Sequence, residues 1–154
     1  MTTTAPEITP KSAARKGWMS LLAKARPAEL AALMRDVPAP GFVWLRPPQI
    51  GGVMLRGRMG GTGAPFNLGE MTVTRCALKL DSGEVGHAYV QGRDKTHAER
   101  AAVVDALMQT DRAEVIREAV LAPLDEAATT RAGARAAKAA ATKVDFFTMV
   151  RGED

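Results

Sequence analysis

Hydrophobic residues in the first quarter of the chain repeat at the spacing of two short helices. The first stripe falls at i, i+3, i+4 and i+7 and consists of Trp18, Leu21, Leu22 and Ala25. Ser12 is suited to cap this helix, and Pro27 is suited to the first turn of the next one. The second stripe consists of Leu30, Leu33, Met34 and Val37. Residues 1–11 are rich in Thr and Pro without periodicity, so we expect them to be disordered.

From Gly41 onward the chain breaks into short apolar runs separated by Gly and Pro, a texture that predicts β-strands. Four runs have it: GFVWLRPP, GGVMLRGRM, MTVTRCALKL and EVGHAYVQ. The segment RMGGTGAPFNLGE, between the second and third runs, is expected to be a loop. Asp81-Ser82-Gly83 is expected to form a hairpin turn. Because the connections between consecutive strands are short, the pattern predicts an antiparallel meander.

The remaining chain has helical patterning. The segment GRDKTHAERAAVVDALMQ predicts a helix with Asp94 as its N-cap. A second helix follows, and residues 126–141 contain nine alanines in sixteen positions, which strongly favours a third. We therefore expect an α+β fold with one domain over residues 12–154. Its four-stranded antiparallel sheet would be flanked by N-terminal and C-terminal helices.

Composition narrows the class of partner. The 154 residues fit one globular domain, and the net charge of +4 favours anionic ligands or an acidic partner. Basic residues are interspersed with acidic ones and aromatic residues are only 5%, which argues against a nucleic-acid surface. The N-terminal segment lacks the apolar core of a signal peptide, and no apolar run is long enough for a membrane span. We expect a cytoplasmic protein without membrane contact.

The chain has few residues suited to catalysis. Cys76 is the single cysteine, and His87 and His97 are the only histidines. Neither a metal site nor a bound cofactor is expected from this set. We interpret Cys76 as a small buried hydrophobic residue and His87 as a strand histidine. No nucleophile motif or paired carboxylate motif is present, so we expect no catalytic residue and no activity of the chain alone.

Two segments are candidates for anion binding or for a subunit interface. RMGGTG is rich in glycine, which allows backbone amides to approach an anion, but it lacks the Walker spacing, and on motif grounds a plain turn is the better explanation. QGRDKTHAER opens a helix and concentrates cations at its N-terminus, which suits either a bound anion or a solvated first turn. We expect the two segments to lie at the same edge of the sheet. The candidate residues are Arg58, Gly60, Gly61, Thr62, Gly63, Arg75, Gln91, Gly92, Arg93, Asp94, Lys95, His97 and Arg100.

The C-terminal segment is unusually apolar for a chain end. Two of the four phenylalanines are adjacent there. Such residues either fold back on the core or dock into a partner. We expect a partner interface formed by Phe146, Phe147, Met149, Val150 and Arg151.

Several long strings in the sequence resemble one known family. They are WMSLLAKARPAELAAL, RMGGTGAPFNLGEMTVTR, GHAYVQGRDKTHAERAAVVDALMQ, APLD and VDFFTMVRGED. Together they closely resemble the PhnG subunit of bacterial carbon–phosphorus lyase, over roughly residues 17–154. The alanine-rich stretch of residues 127–141 contributes little to this resemblance.

The resemblance implies an accessory subunit in phosphonate catabolism under phosphate starvation. With a PhnI-type nucleosidase and with PhnH- and PhnL-type subunits, it would support formation of α-D-ribose 1-methylphosphonate 5-triphosphate from ATP and methylphosphonate, with release of adenine. A PhnJ-type radical subunit would act later. Two roles stay open: a structural subunit that organises these partners, or a direct contributor to the synthase site that contacts ATP or the phosphonate.

Overall fold

The computed structural model describes residues 9–144, so the expected C-terminal interface lies outside the described residues. The helices are α1 (Pro10–Lys24), α2 (Pro27–Leu33), α3 (Lys95–Leu107), α4 (Ala113–Ile116) and α5 (Ala122–Ala141). The strands are β1 (Phe42–Arg58), β2 (Pro65–Leu80) and β3 (Val85–Gln91). A short 3₁₀ turn, Met59–Gly61, joins β1 to β2, and a π-helical turn, Arg117–Leu121, joins α4 to α5.

The α+β class is confirmed, but the prediction of four strands is wrong. Within the described residues the sheet has three antiparallel strands in the order β1-β2-β3. The first two predicted strands are one long strand, β1, which continues through Pro47 and Pro48. Proline is tolerated there because β1 is an edge strand, and the register with β2 shifts around this dipeptide between Arg46 and Gln49. Much of the predicted loop is also strand, since β2 already begins at Pro65.

The first helix begins earlier than the sequence suggested. Thr9 is its N-cap and accepts a hydrogen bond from the Ser12 amide at 3.3 Å, so Ser12 is not the cap. Pro10 occupies the first turn, where its missing N–H costs nothing. The helix therefore starts two residues inside the segment expected to be disordered. Residues 1–8 lie outside the described residues, and the expectation for them stays a prediction.

The core lies between one face of the sheet and α3. Nine of the thirteen residues of α3 are buried. The helix approaches β3 very closely at Gly86, where a Cβ atom would collide with the carbonyl oxygen of Ala102. Leu78, Ala88 and Val90 supply the sheet side of this core, and α1, α2 and the end of α4 close it.

A buried carboxylate joins three of these elements. Asp105, on α3, is fully buried and accepts hydrogen bonds from Arg15 Nε at 3.1 Å and Nη2 at 2.7 Å. It also accepts one from the Trp18 indole N–H at 2.9 Å and one from the His87 backbone amide at 2.8 Å. Four donors from α1 and β3 therefore converge on one side chain, which fixes both elements against α3.

Strands β1 and β2 continue well beyond the sheet. β3 pairs with β2 only as far as Val73, whereas β1 and β2 stay paired to Arg58 and Pro65. The two-stranded part, residues 52–72, is called the arm below. None of its residues is buried, so the arm projects from the body of the domain.

The first prediction concerns the buried carboxylate. Asp105→Asn should lower the free energy of unfolding by about 3 kcal/mol, because one amide cannot accept from all four donors and leaves Arg15 without its charge partner. Urea denaturation monitored by circular dichroism measures the effect. The control is Asp125→Asn, an exposed carboxyl on α5, which should change stability by less than about 0.5 kcal/mol. Equal urea midpoints for Asp105→Asn and the parent would contradict this role.

Candidate functional site

The RMGGTG segment forms a tight turn at the tip of the arm. Gly60 and Gly61 have φ values of 60° and 82°, in the left-handed region that favours glycine. The Gly63 amide donates to the Met59 carbonyl at 2.9 Å, and Arg58 Nη1 donates to the Gly63 carbonyl at 3.0 Å. The glycines thus serve the shape of the turn, and Arg58 already contributes one donor to closing it. Thr62 follows the 3₁₀ turn and is exposed.

The QGRDKTHAER segment leads into α3 as the sequence predicted. Gly92 has φ 91°, and its amide donates to the Thr72 carbonyl at 3.0 Å. Asp94 is the N-cap and accepts from the His97 amide at 2.9 Å. The Asp94 carboxylate therefore already accepts from one of the backbone amides that an anion at the N-terminus of α3 would need. Arg93 and Lys95 are exposed.

The structure does not bring these two segments together. Arg58 pairs with Pro65, whereas Gln91 pairs with Val73, eight positions further along β2. At about 3.3 Å per strand residue, the two sites are separated by about 26 Å. The expectation that they share one sheet edge is wrong, because the arm extends one hairpin far past the end of β3. Arg75 lies in the body of the sheet, opposite Tyr89 and exposed.

His97 is a core residue and not a surface cation. It is 1% exposed, and its Nε2–H donates to the Leu22 carbonyl at 3.0 Å. Its Nδ1 atom is buried without a hydrogen-bond partner among the described residues. Burial lowers the pKa of His97, and the hydrogen bond to Leu22 and the charge of Asp94 only partly oppose this. The side chain therefore favours the neutral form and ties α3 to α1.

Cys76 is buried, as the sequence indicated. Its thiol donates to the Ala98 carbonyl at 3.3 Å. Burial, with a smaller effect of the Glu99 charge, raises the pKa of Cys76 to about 11. Since a thiolate is the reactive species, the thiol is protonated and inert near neutral pH.

Metal-binding and membrane-spanning features are also absent from the described part of the chain. Residues 9–144 contain no group of three or more His, Cys, Asp or Glu side chains arranged to hold a metal ion. No helix in the same range combines the length and hydrophobicity needed to span a bilayer.

The arm is the surface that sequence reasoning missed. One face of it is formed by Val53, Leu55, Phe66, Leu68 and Met71 and is called the apolar face. Phe66 and Leu68 share the side of Gly57, since a Cβ on Gly57 would lie 3.6 Å from Phe66 and 3.7 Å from Leu68. Strand alternation places Val53 and Leu55 on the same side. Met71 joins them because it pairs directly with Val53.

The opposite face of the arm is basic. It contains Arg56 and Arg58, which alternate with the apolar residues of β1, together with the pair Met54 and Glu70, and it is called the basic face. On either side of RMGGTG, apolar residues alternate with other residues in the sequence, and this alternation was the signal for both faces. The glycines and Asn67 concealed it, because they are typical of loops.

Comparison with known proteins identifies relatives over nearly the whole chain. The family model described as phosphonate metabolism protein PhnG matches residues 13–152. The chain is 48% identical over 147 residues to the alpha-D-ribose 1-methylphosphonate 5-triphosphate synthase subunit PhnG of Rhizobium meliloti (strain 1021), and the match covers 92% of each chain. Both findings confirm the resemblance inferred from the sequence strings.

The second prediction concerns the buried histidine. Because the pKa of His97 is lower in the folded than in the unfolded chain, its contribution is complete above the unfolded pKa of about 6.5 and is lost as the pH falls below it. Stability should therefore decrease by at most about 1.4 kcal/mol per pH unit below about 6.5. Urea denaturation at pH 7.5 and pH 5 measures the slope.

Two variants isolate the contribution of this residue. His97→Gln keeps a donor for the Leu22 carbonyl but cannot titrate, so its stability should depend less on pH. His87→Gln makes the same exchange at an exposed position and is the matched control for the substitution itself. Identical pH slopes in all three proteins would show that His97 does not titrate on unfolding.

Proposed function

Because this chain belongs to the PhnG family of phosphonate metabolism proteins, we propose that it is a subunit of an α-D-ribose 1-methylphosphonate 5-triphosphate synthase. The observation that supports this most directly is the 48% identity to the Rhizobium meliloti synthase subunit over 92% of both chains. A fold alone would not identify a function. A sequence match of this extent is stronger evidence of function, because it includes the core and the surface segments together.

The proposed role is that of an accessory subunit without a catalytic group of its own. Three side chains that could do chemistry are used in the fold: Cys76 is buried and protonated, His97 is buried with its neutral form favoured, and Asp105 binds Arg15. The partners we propose are PhnI-, PhnH-, PhnL- and PhnJ-type subunits in the cytoplasm. In this scheme the PhnI-type subunit breaks the bond between C1′ of the ATP ribose and adenine, and a phosphonate oxygen takes the place of the base.

A direct contribution to phosphate binding is the second candidate. It is favoured by Arg93 and Lys95, two exposed cations beside the N-terminus of α3 that form no ion pair within residues 9–144. The positive end of a helix dipole would add to their attraction for a triphosphate. The Asp94 cap reduces this attraction, so we favour the organising role.

The third prediction tests the proposed function. A bacterium that has lost its own PhnG subunit, and therefore its growth on methylphosphonate as the sole phosphorus source, should recover growth when it expresses this chain. The purified complex should convert ATP and methylphosphonate into α-D-ribose 1-methylphosphonate 5-triphosphate with release of adenine. A folded chain that accumulates but restores neither growth nor adenine release would contradict the proposal.

The same assay separates the two roles. In the organising role, Arg93→Ala/Lys95→Ala complexes should assemble and release adenine with the ATP requirement of the parent. In the phosphate-binding role, they should assemble normally but need about tenfold more ATP, as expected for the loss of charge-assisted hydrogen bonds. The control is Arg117→Ala, which removes an exposed cation that follows α4 in the chain and pairs with Glu114 at 3.5 Å.

A further inference from the structure

The arm exposes more apolar surface than a solitary protein would be expected to leave in water. On the apolar face Leu55 is 37% exposed, Phe66 42% and Leu68 64%, and Met59 at the tip is 76% exposed. Leu55, Phe66 and Leu68 lie next to each other along one side of a two-stranded ribbon. Contiguous exposed apolar residues of this kind mark an interaction site.

The backbone of the arm points to the same conclusion. A two-stranded hairpin is only marginally stable in water, since it lacks a third strand or a helix to cover it. Among residues 9–144 both strands also have a free edge beyond Val73, because β3 ends at Gln91 and β1 is the edge of the sheet. Residues 52–58 of the β1 edge contain no proline or lysine that would prevent pairing with another chain.

The charge of the arm indicates what kind of surface covers it. The charged side chains of the arm are Arg56, Arg58 and Glu70, so its net charge is +1, and only the two arginines lie within the seven residues nearest the tip on β1. Arg58 donates to the Gly63 carbonyl, and neither arginine forms an ion pair among the described residues. A partner that covers the apolar face and also approaches the basic face must therefore supply apolar side chains beside carboxylates.

We propose that the arm is the docking element of this subunit, and that it inserts into an apolar groove with an acidic rim on another protein subunit of the synthase. The inference rests on the proposed function, because it takes the occupant from the same assembly. Leu55, Phe66 and Leu68 bury against the apolar floor of that groove. Arg56 and Arg58 bind carboxylates at its rim, where charge complementarity adds specificity.

The fourth prediction uses one variant on each face of the arm. Leu68→Glu places a charge on the apolar face, and Arg56→Glu reverses the charge on the basic face without changing the apolar packing. When the variants are co-expressed with the other synthase subunits, each should reduce the amount of co-purified partner by at least about tenfold. Both positions are exposed, so the melting temperature of each isolated variant should stay close to that of the parent.

Two matched control variants introduce glutamate in place of an apolar residue and of an arginine at exposed positions outside the arm. Val115→Glu alters a valine on α4 that is 63% exposed, and Arg135→Glu alters an exposed arginine on α5. Both should co-purify with partners within about twofold of the parent, as surface substitutions usually do. A loss in the controls as large as in the arm variants would overturn the inference, since it would show that any added negative charge prevents assembly.

The remaining outcomes separate the inference from the proposed function. If the parent chain does not assemble with synthase subunits, the proposed function fails. If the parent assembles and both arm variants assemble equally well, the docking role of the arm fails alone. If the Arg56→Glu complex assembles normally but needs more ATP for adenine release, the basic face binds phosphate, and the protein occupant proposed here is wrong.

Discussion

The carboxylate of Asp105 is the interaction on which the rest of the domain depends. It is fully buried, and it accepts from Arg15, Trp18 and the backbone of His87. A buried carboxylate is costly unless its oxygens are paired, so α1 and β3 must take these positions for α3 to keep its place. Gln109, just after the end of α3, donates to the Val85 carbonyl at 2.8 Å and extends the same attachment. The helical layer is thereby fixed on one face of a small sheet.

With the body fixed in this way, two elements extend from it. The arm, residues 52–72, contains no buried residue, and the last part of α5 is exposed from Ala132 onward. Helix α5 is attached near its middle, where Arg131 donates to both carboxylate oxygens of Glu29 at 2.7 and 2.8 Å. Beyond that pair its alanines favour the helix through intrinsic propensity, and they are exposed within the described residues 9–144. Of the two extensions only the arm exposes large apolar side chains, whereas the exposed part of α5 consists mostly of alanine.

The exposed basic side chains are also divided between the arm and the body of the domain. Arg56 and Arg58 lie on the arm, whereas Arg93 and Lys95 lie beside α3, about 26 Å away along β2 at 3.3 Å per residue. A single small anion cannot contact both groups. The basic residues that give the chain its net positive charge therefore lie on separate surfaces. The tip of the arm and the start of α3 can bind different partners in the proposed assembly.

The sequence by itself determined the family and several of the helical elements. The stripe containing Trp18 and Leu22 and the Asp94 cap of α3 were predicted correctly, because periodicity and capping depend on residues a few positions apart. Cys76 was also placed correctly, as a buried thiol in a strand. Only the tertiary structure decided the role of Asp105, whose partners Arg15 and Trp18 are 90 and 87 positions away. It likewise decided that His97 is buried and that residues on both sides of RMGGTG form an arm, because those residues become strands only by pairing with each other across the turn.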